Sequence, residues 1–329
     1  MAILNRTRDK ILTFLVLIVS VAGVLFFGYR EVRDYAKKGG ENPFAYDIQD
    51  YETSGAELVR YSEVGKIPIP SPVVSGVSLG ADDRVYVSGD SSVFVFDKDE
   101  TPLFSFLTEM PVRCLAAGEN HVLYLGMGDH VEVFDQKGQR LARWESLGEK
   151  AIVTSIAIAE DYAFVADAGN KIVWKFDKSG SKRQRIGDKN EAKDIPGFVI
   201  PSPYFDVAVD SDGFLWVANT GRHSLENYTL DGQFRTSWGE FGMEIQGFCG
   251  CCNPTHFALL EDDSFVTSEK GIARVKIYNR IGNLVSVVAP ASLFIEGTVG
   301  LDLAVDSAQR IYVLDPMQKA VCIFAEKKT

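Results

Sequence analysis

The sequence predicts an all-β fold, a six-bladed β-propeller, preceded by one N-terminal transmembrane helix. Three observations lead there. An uncharged apolar run lies near the N-terminus, a pattern of short alternating strands recurs six times beyond residue 55, and no helical period of useful length follows residue 50. The expected organisation is a short tail (1–10), an anchor (11–29), a juxtamembrane stalk (30–54) and the propeller (55–329).

The anchor comes first. Ile11 to Tyr29 carries no charge and is dominated by Leu, Val, Ile and Phe. At about 1.5 Å per residue that run makes roughly 28 Å of helix, close to the ~30 Å hydrocarbon thickness of a bilayer. A cleaved signal peptide would have a shorter apolar core and a small-residue cleavage site. Ser20-Val21-Ala22 is the one faint candidate, and Val24-Leu25-Phe26-Phe27 continues the apolar run past it. Arg6, Arg8 and Lys10 precede the run; Arg30, Arg33, Lys37 and Lys38 follow it, so flanking charge sets no clear orientation. An anchor this close to the N-terminus is expected to leave the tail in the cytoplasm. The propeller would then lie on the extracytoplasmic, periplasmic side of the inner membrane.

The repeat defines the rest. One copy runs Asp206-Val207-Ala208-Val209-Asp210-Ser211-Asp212-Gly213-Phe214-Leu215-Trp216-Val217-Ala218-Asn219. A second runs from Asp302 to Asp306 and resumes at Arg310-Ile311-Tyr312-Val313-Leu314-Asp315. Degenerate copies begin near Val77, Leu115, Ile156 and Phe257, at spacings of about 38 to 51 residues, the range of a four-stranded blade. Within each copy, apolar alternation is punctuated by Asp/Gly turns such as Lys137-Gly138, Ser179-Gly180 and Asp231-Gly232, as hairpins require. The last copy stops at a third strand, Cys322-Ile323-Phe324-Ala325. The segment Glu57–Val64 is expected to supply the missing outer strand and close the ring.

With its Val217-Ala218-Asn219-Thr220-Gly221-Arg222-His223 and Leu230-Asp231-Gly232, the copy from Tyr204 to Gly239 resembles the NHL-repeat family of six-bladed propellers, over about residues 55–326. The stretch Cys249-Gly250-Cys251-Cys252-Asn253-Pro254-Thr255-His256 (CxCCNPxH), with Val266–Gly271 and Arg274–Tyr278 after it, is similar to a membrane-anchored bacterial subgroup of that family. The resemblance implies a binding platform. A related minority are metal-dependent lyases or lactonases, and the fold leaves that choice open.

The chain has 329 residues and a formal charge of −11. An acidic domain with no basic patch repels phosphate backbones, so nucleic acid is not an expected partner. Aligning the copies places Gly76, Cys114, Ser155, Asp206, His256 and Asp302 at one position on the innermost strands, around the central channel. Cys114, Asp206 and Asp302 are therefore candidate channel-lining residues. Asp206 and Asp302 have a plain structural reading as turn caps or as acceptors for a neighbouring blade, and so do the second-strand ends Asp167, Asn219, Glu269 and Asp315. Cys249, Cys251, Cys252 and His256 are metal or redox candidates, since thiolates and imidazole suit Zn or Cu, although adjacent cysteines diverge. A Cys249–Cys252 disulfide competes with that reading. Neither a nucleophile elbow, nor a His-Glu-x-x-His, nor a phosphate-binding glycine loop occurs, and no residue is assigned a catalytic role. The function expected is binding or scaffolding, as an accessory subunit of a membrane (redox) complex with a protein partner. The alternatives are a metal- or thiol-dependent redox protein, and a lyase or lactonase centred on the channel. The long stretch Gly239–Cys252 is expected to lie as a lid over part of the channel mouth.

Overall fold

A computed structural model describes residues 55–189 and 197–328; the tail, the apolar run 11–29 and the stalk lie outside them. Among the described residues no helix is long and apolar enough to cross a membrane.

Six four-stranded antiparallel sheets account for the strands, in chain order. The chain opens with β1 (Tyr61–Pro68). Blade 1 follows as β2 (Gly76–Leu79), β3 (Val85–Gly89), β4 (Ser92–Phe96) and β5 (Pro102–Leu107). Blade 2 holds β6 (Cys114–Ala117), β7 (Leu123–Gly126), β8 (Val131–Phe134) and β9 (Arg140–Arg143). Blade 3 holds β10 (Val153–Ile158), β11 (Tyr162–Asp167), β12 (Ile172–Asp177) and β13 (Lys182–Ile186). In blade 4 these are β14 (Val207–Val209), β15 (Leu215–Asn219), β16 (Ser224–Tyr228) and β17 (Phe234–Trp238). Blade 5 is β18 (His256–Leu259), β19 (Phe265–Glu269), β20 (Arg274–Tyr278) and β21 (Leu284–Ala289). The last three strands, β22 (Asp302–Val305), β23 (Ile311–Asp315) and β24 (Ala320–Glu326), pair with β1 in the order β1-β24-β23-β22.

The ring therefore closes through its two ends, as the strand bookkeeping anticipated. The closing strand begins later than expected. Residues 56–58 form a single 3₁₀ turn, and the pairing runs from Tyr61↔Glu326 to Pro68↔Ala320. Burial decides the register, because Tyr61, Ile67 and Ile69 all reach the core. With β1 in place, β24 is paired on both sides and the last sheet has four strands like the others.

The second strand of every blade is buried along most or all of its length, whereas outer strands such as β5 and β17 are largely exposed. Apolar clusters form between neighbouring blades. Val77 and Val87 of blade 1, for example, pack with Tyr312, Leu314 and Ile323 of the last sheet. Such burial supplies most of the driving force, at about 25 cal/mol per Å² of apolar surface.

The turns repeat one piece of chemistry. In four of the third-to-fourth-strand hairpins a side-chain oxygen of Asp97, Asp135, Asp177 or Asn279 accepts backbone amides two and four residues on. These are Asx turns, and they explain why Asp or Asn stands at the end of the third strand in those four blades. At the other end of the blades the second-strand residues act as staples. Asp167 accepts from Ile152 N, Asn170 N, Asn170 Nδ2 and Trp174 Nε1, and Asp315 accepts from Met317 N and Gln318 N. Close approach there demands glycine: a Cβ on Gly169 would sit 1.7 Å from the Lys150 carbonyl oxygen.

Candidate functional site

The inner strands bring the aligned positions together. Cys114, Ser155, Asp206, His256 and Asp302 all line one cavity of about 140 Å³ in the channel. Gly76 stands at the same level, on the first residue of β2, with the Cys114 Cα beside it.

The two carboxylates tie adjacent blades. Asp206 accepts the Val207 amide at 2.9 Å and, across the blade boundary, the Phe257 amide at 2.8 Å. Asp302 accepts Leu303 N at 2.9 Å and Val77 N at 2.8 Å, joining the last blade to the first. Between them lies His256, whose Nδ1 is 3.7 Å from Asp206 Oδ2 and 3.4 Å from Asp302 Oδ1. Burial alone would lower the imidazole pKa, but contact with Asp206 and the charge of Asp302 outweigh it and leave the pKa raised. Burial pushes Asp302 up to about 6, with His256 opposing and Asp206 reinforcing the shift. Burial likewise drives the Cys114 thiol far up, so it behaves as a small packed side chain.

Above this cavity the channel opens into a mouth of about 440 Å³, lined by Val73, Arg113, Tyr204, His256 and Val299 among others. The mouth lies on the face that carries the connections from each outer strand to the next inner strand. The ring of Tyr204 meets the His256 imidazole edge to face, with centroids 5.9 Å apart.

The cysteine loop joins β17 to β18 and so belongs to the same face. Its four candidate ligands occupy three separate environments. Cys249 is buried beside Glu269 and Arg274, and its amide donates to Glu269 Oε2. Cys251 is exposed, and its sulfur lies 3.1 Å from that of Cys252, which is buried. His256 faces the channel instead. Among the described residues, no group of three or more His, Cys, Asp or Glu side chains is arranged to hold a metal ion. The expected Zn or Cu set of Cys249, Cys251, Cys252 and His256 is thus not assembled. Nor is the Cys249–Cys252 disulfide formed: all five cysteines are free, and the sulfurs in contact are those of the adjacent pair. Cys322 lies in β24, the third strand its pattern predicted, and is buried there.

Around Cys252 the donors converge. Burial raises a thiol pKa, yet Ser202, Cys251 and Lys270 together hold that of Cys252 below its ordinary value. The same contact and burial raise Cys251. Lys270 Nζ also reaches Ser202 Oγ at 3.3 Å and lies 5.0 Å from the centre of the Tyr204 ring, which links the loop to the mouth.

The stretch 239–252 is not a lid: it lines neither the channel cavity nor its mouth. It folds outward on blade 5 because a buried lysine holds it there. Lys276 Nζ donates to Ile245 O and Gly247 O, Tyr278 Oη donates to Gln246 O, and Phe248 is buried against the Trp238 and Tyr278 rings. Lys276 belongs to an ion cluster that sequence reasoning missed. Glu269, grouped with the turn formers, is fully buried and pairs with Lys276 Nζ at 2.5 Å and Arg274 Nε at 3.0 Å. Burial works against the Glu269 carboxylate, but the two cations lower its pKa; burial brings Lys276 down to about 8 against the charge of Glu269. A signal existed: opposite charges flank the β19–β20 turn, with Glu269 directly opposite Arg274.

No family model matches the chain, and no curated protein does. Solved structures do. The chain is similar in fold to six-bladed lyase propellers. A streptogramin B lyase structure matches at a TM-score of 0.58 and 10% identity, over 81% of this chain and 98% of that one. The virginiamycin B lyase of Staphylococcus aureus matches at 0.55 and 11%, over 77% and 81%. A protein of unknown function from Bacteroides thetaiotaomicron matches at 0.59 and 14%, over 83% and 74%. At such identities the likeness is one of fold.

Proposed function

We propose that this chain is a binding module of NHL type, tethered to the membrane by residues 11–29, that takes a protein partner on the face carrying the channel mouth. One observation carries this reading. Large exposed apolar side chains gather on that face, on the connections between blades and on the hairpin before β24: Val73, Met110, Val199, Phe241, Ile295, Val299 and Met317. The hairpins of the opposite face hold one such residue among those described, Ile281, amid Asp-rich turns. Contiguous exposed apolar surface rimmed by polar groups marks protein contact sites. The channel beneath supports binding too, since Asp206 and Asp302 each already accept two backbone amides, one of them from a neighbouring blade, and are occupied as structural staples. The tether and the extracytoplasmic location rest on the uncharged run alone.

The test is a photocrosslinking amino acid placed at Val299 or at Ile281 of the full-length chain in its native membrane. A discrete adduct from position 299 and none from 281 is the expected result. Adducts from 281 alone, or from neither position, would defeat the proposal.

A further inference from the structure

The cysteine loop carries a feature that partner binding does not use. Two thiols from adjacent residues stand 3.1 Å apart, one exposed and one buried. The loop is pinned rather than free. Asn253 Nδ2 donates to Cys249 O and to Lys270 O, Lys270 N returns a bond to Asn253 Oδ1 at 2.9 Å, and His223 Nε2 bonds Gly250 O at 2.7 Å. Cys251 is thereby presented to solvent, while Cys252 is backed by the Lys270 ammonium and the Ser202 hydroxyl.

We propose that Cys251 and Cys252 form a thiol–disulfide exchange site, with exposed Cys251 as the attacking sulfur and buried Cys252 as the resolving one. The substrate class is a disulfide, R–S–S–R. In the first step the Cys251 thiolate attacks one substrate sulfur. A Cys251–S–R bond forms, the substrate S–S bond breaks, and R–S⁻ leaves, taking up the proton that Cys251 released. In the second step the Cys252 thiolate attacks Cys251 Sγ. A Cys251–Cys252 bond forms in an eight-membered ring, the mixed disulfide breaks, and a second R–S⁻ leaves with the proton of Cys252. The protein dithiol has then lost two electrons and the substrate has become two thiols. The division of labour follows from access and charge. Of the pair, Cys251 is exposed and can meet a substrate, whereas Cys252 is buried beside Ser202 and Lys270, which favour its thiolate in the resolving step. Cys249 takes no part, because it lies with Glu269 and Arg274.

The experiment is mass spectrometry and peptide mapping of the full chain after exposure to oxidised glutathione. Wild-type protein is expected to lose two hydrogens, keep no glutathione, and show the bridge between positions 251 and 252. Cys252→Ser should hold one glutathione on Cys251. Cys251→Ser, a change at an exposed position that leaves the core intact, should not react at this loop. Lys270→Met should prolong the mixed disulfide at neutral pH, because it removes the ammonium that favours the resolving thiolate. A parallel reaction with a disulfide-bridged protein shows by relative rate whether a small or a protein disulfide is the better substrate. A stable glutathione adduct on wild-type protein, a bridge to Cys249, or exchange with neither disulfide would overturn the assignment.

Discussion

Replacing Glu269 with Gln should unfold this propeller far more readily than its modest chemistry suggests. The carboxylate is fully buried, and so are its partners Lys276 and Arg274. Gln preserves the volume and removes the charge, leaving two cations out of water with no counter-ion. Breaking a buried ion pair in this way costs about 3–5 kcal/mol. For a domain of this size each kcal/mol lowers the melting temperature by roughly 2–4 °C, so a fall of about 10 °C is expected. The comparison is Arg280→Gln, which removes ion pairs of an exposed guanidinium with Asp212 and Asp263 and should be far milder, since solvent screens them. Adding Lys276→Met to Glu269→Gln should recover part of the loss. It removes one stranded charge and keeps an apolar stem against Phe248 and Tyr278. The pH dependence has a definite sign. Lys276 titrates near 8 in the native state, below its unfolded value of about 10.4, so its charged form burdens the fold at neutral pH. That burden is relieved as pH rises from about 8 toward 10.4. Thermal melts of the full-length chain at pH 7 and 9 read all of this. A Glu269→Gln variant as mild as Arg280→Gln would refute the reasoning.

Asp302→Asn should change the pH profile in the acid range. The native pKa of Asp302 lies near 6, above the unfolded value of about 3.9, so its protonated form adds stability at low pH that is lost as pH rises through about 6. The deficit of the Asn variant, measured as the urea midpoint, should therefore shrink between pH 4 and pH 7. Asp167→Ala strands the donors of four hydrogen bonds at a fully buried position and should cost about 3 kcal/mol by denaturant unfolding. Ile67→Ala empties a core position in the closing strand and should cost about 2–5 kcal/mol, with faster proteolysis at the β1–β24 seam. Tyr204→Ala should weaken partner capture and leave the melting temperature within about 2 °C, since Tyr204 lies at the mouth and outside the core.

Much of the channel was legible before any coordinates. Aligning the repeats placed Cys114, Ser155, Asp206, His256 and Asp302 around one axis, because identical blades put identical positions at identical depths. The plain reading of the aspartates was equally accessible, and Asp206 and Asp302 do accept amides from the next blade. The cysteine loop was not legible in this way. It falls outside the repeat, so register says nothing of where its side chains point. Proximity in sequence suggested one four-ligand set, whereas the fold sends Cys249 toward Glu269, Cys252 toward Lys270 and His256 toward the channel.

The division has a physical basis. Blade count, strand order, turn chemistry and ring closure are written in local periodicity, since each blade is a hairpin series whose neighbours in sequence are its neighbours in space. Glu269 shows where that logic ends: it occupies the turn-forming position of its repeat, yet it neutralises two cations from the next strand in a buried cluster. Which face gathers apolar side chains and which carboxylate ends up with raised pKa depend on groups from different blades, such as Asp302 and the Val77 amide. Only closing the ring brings those together.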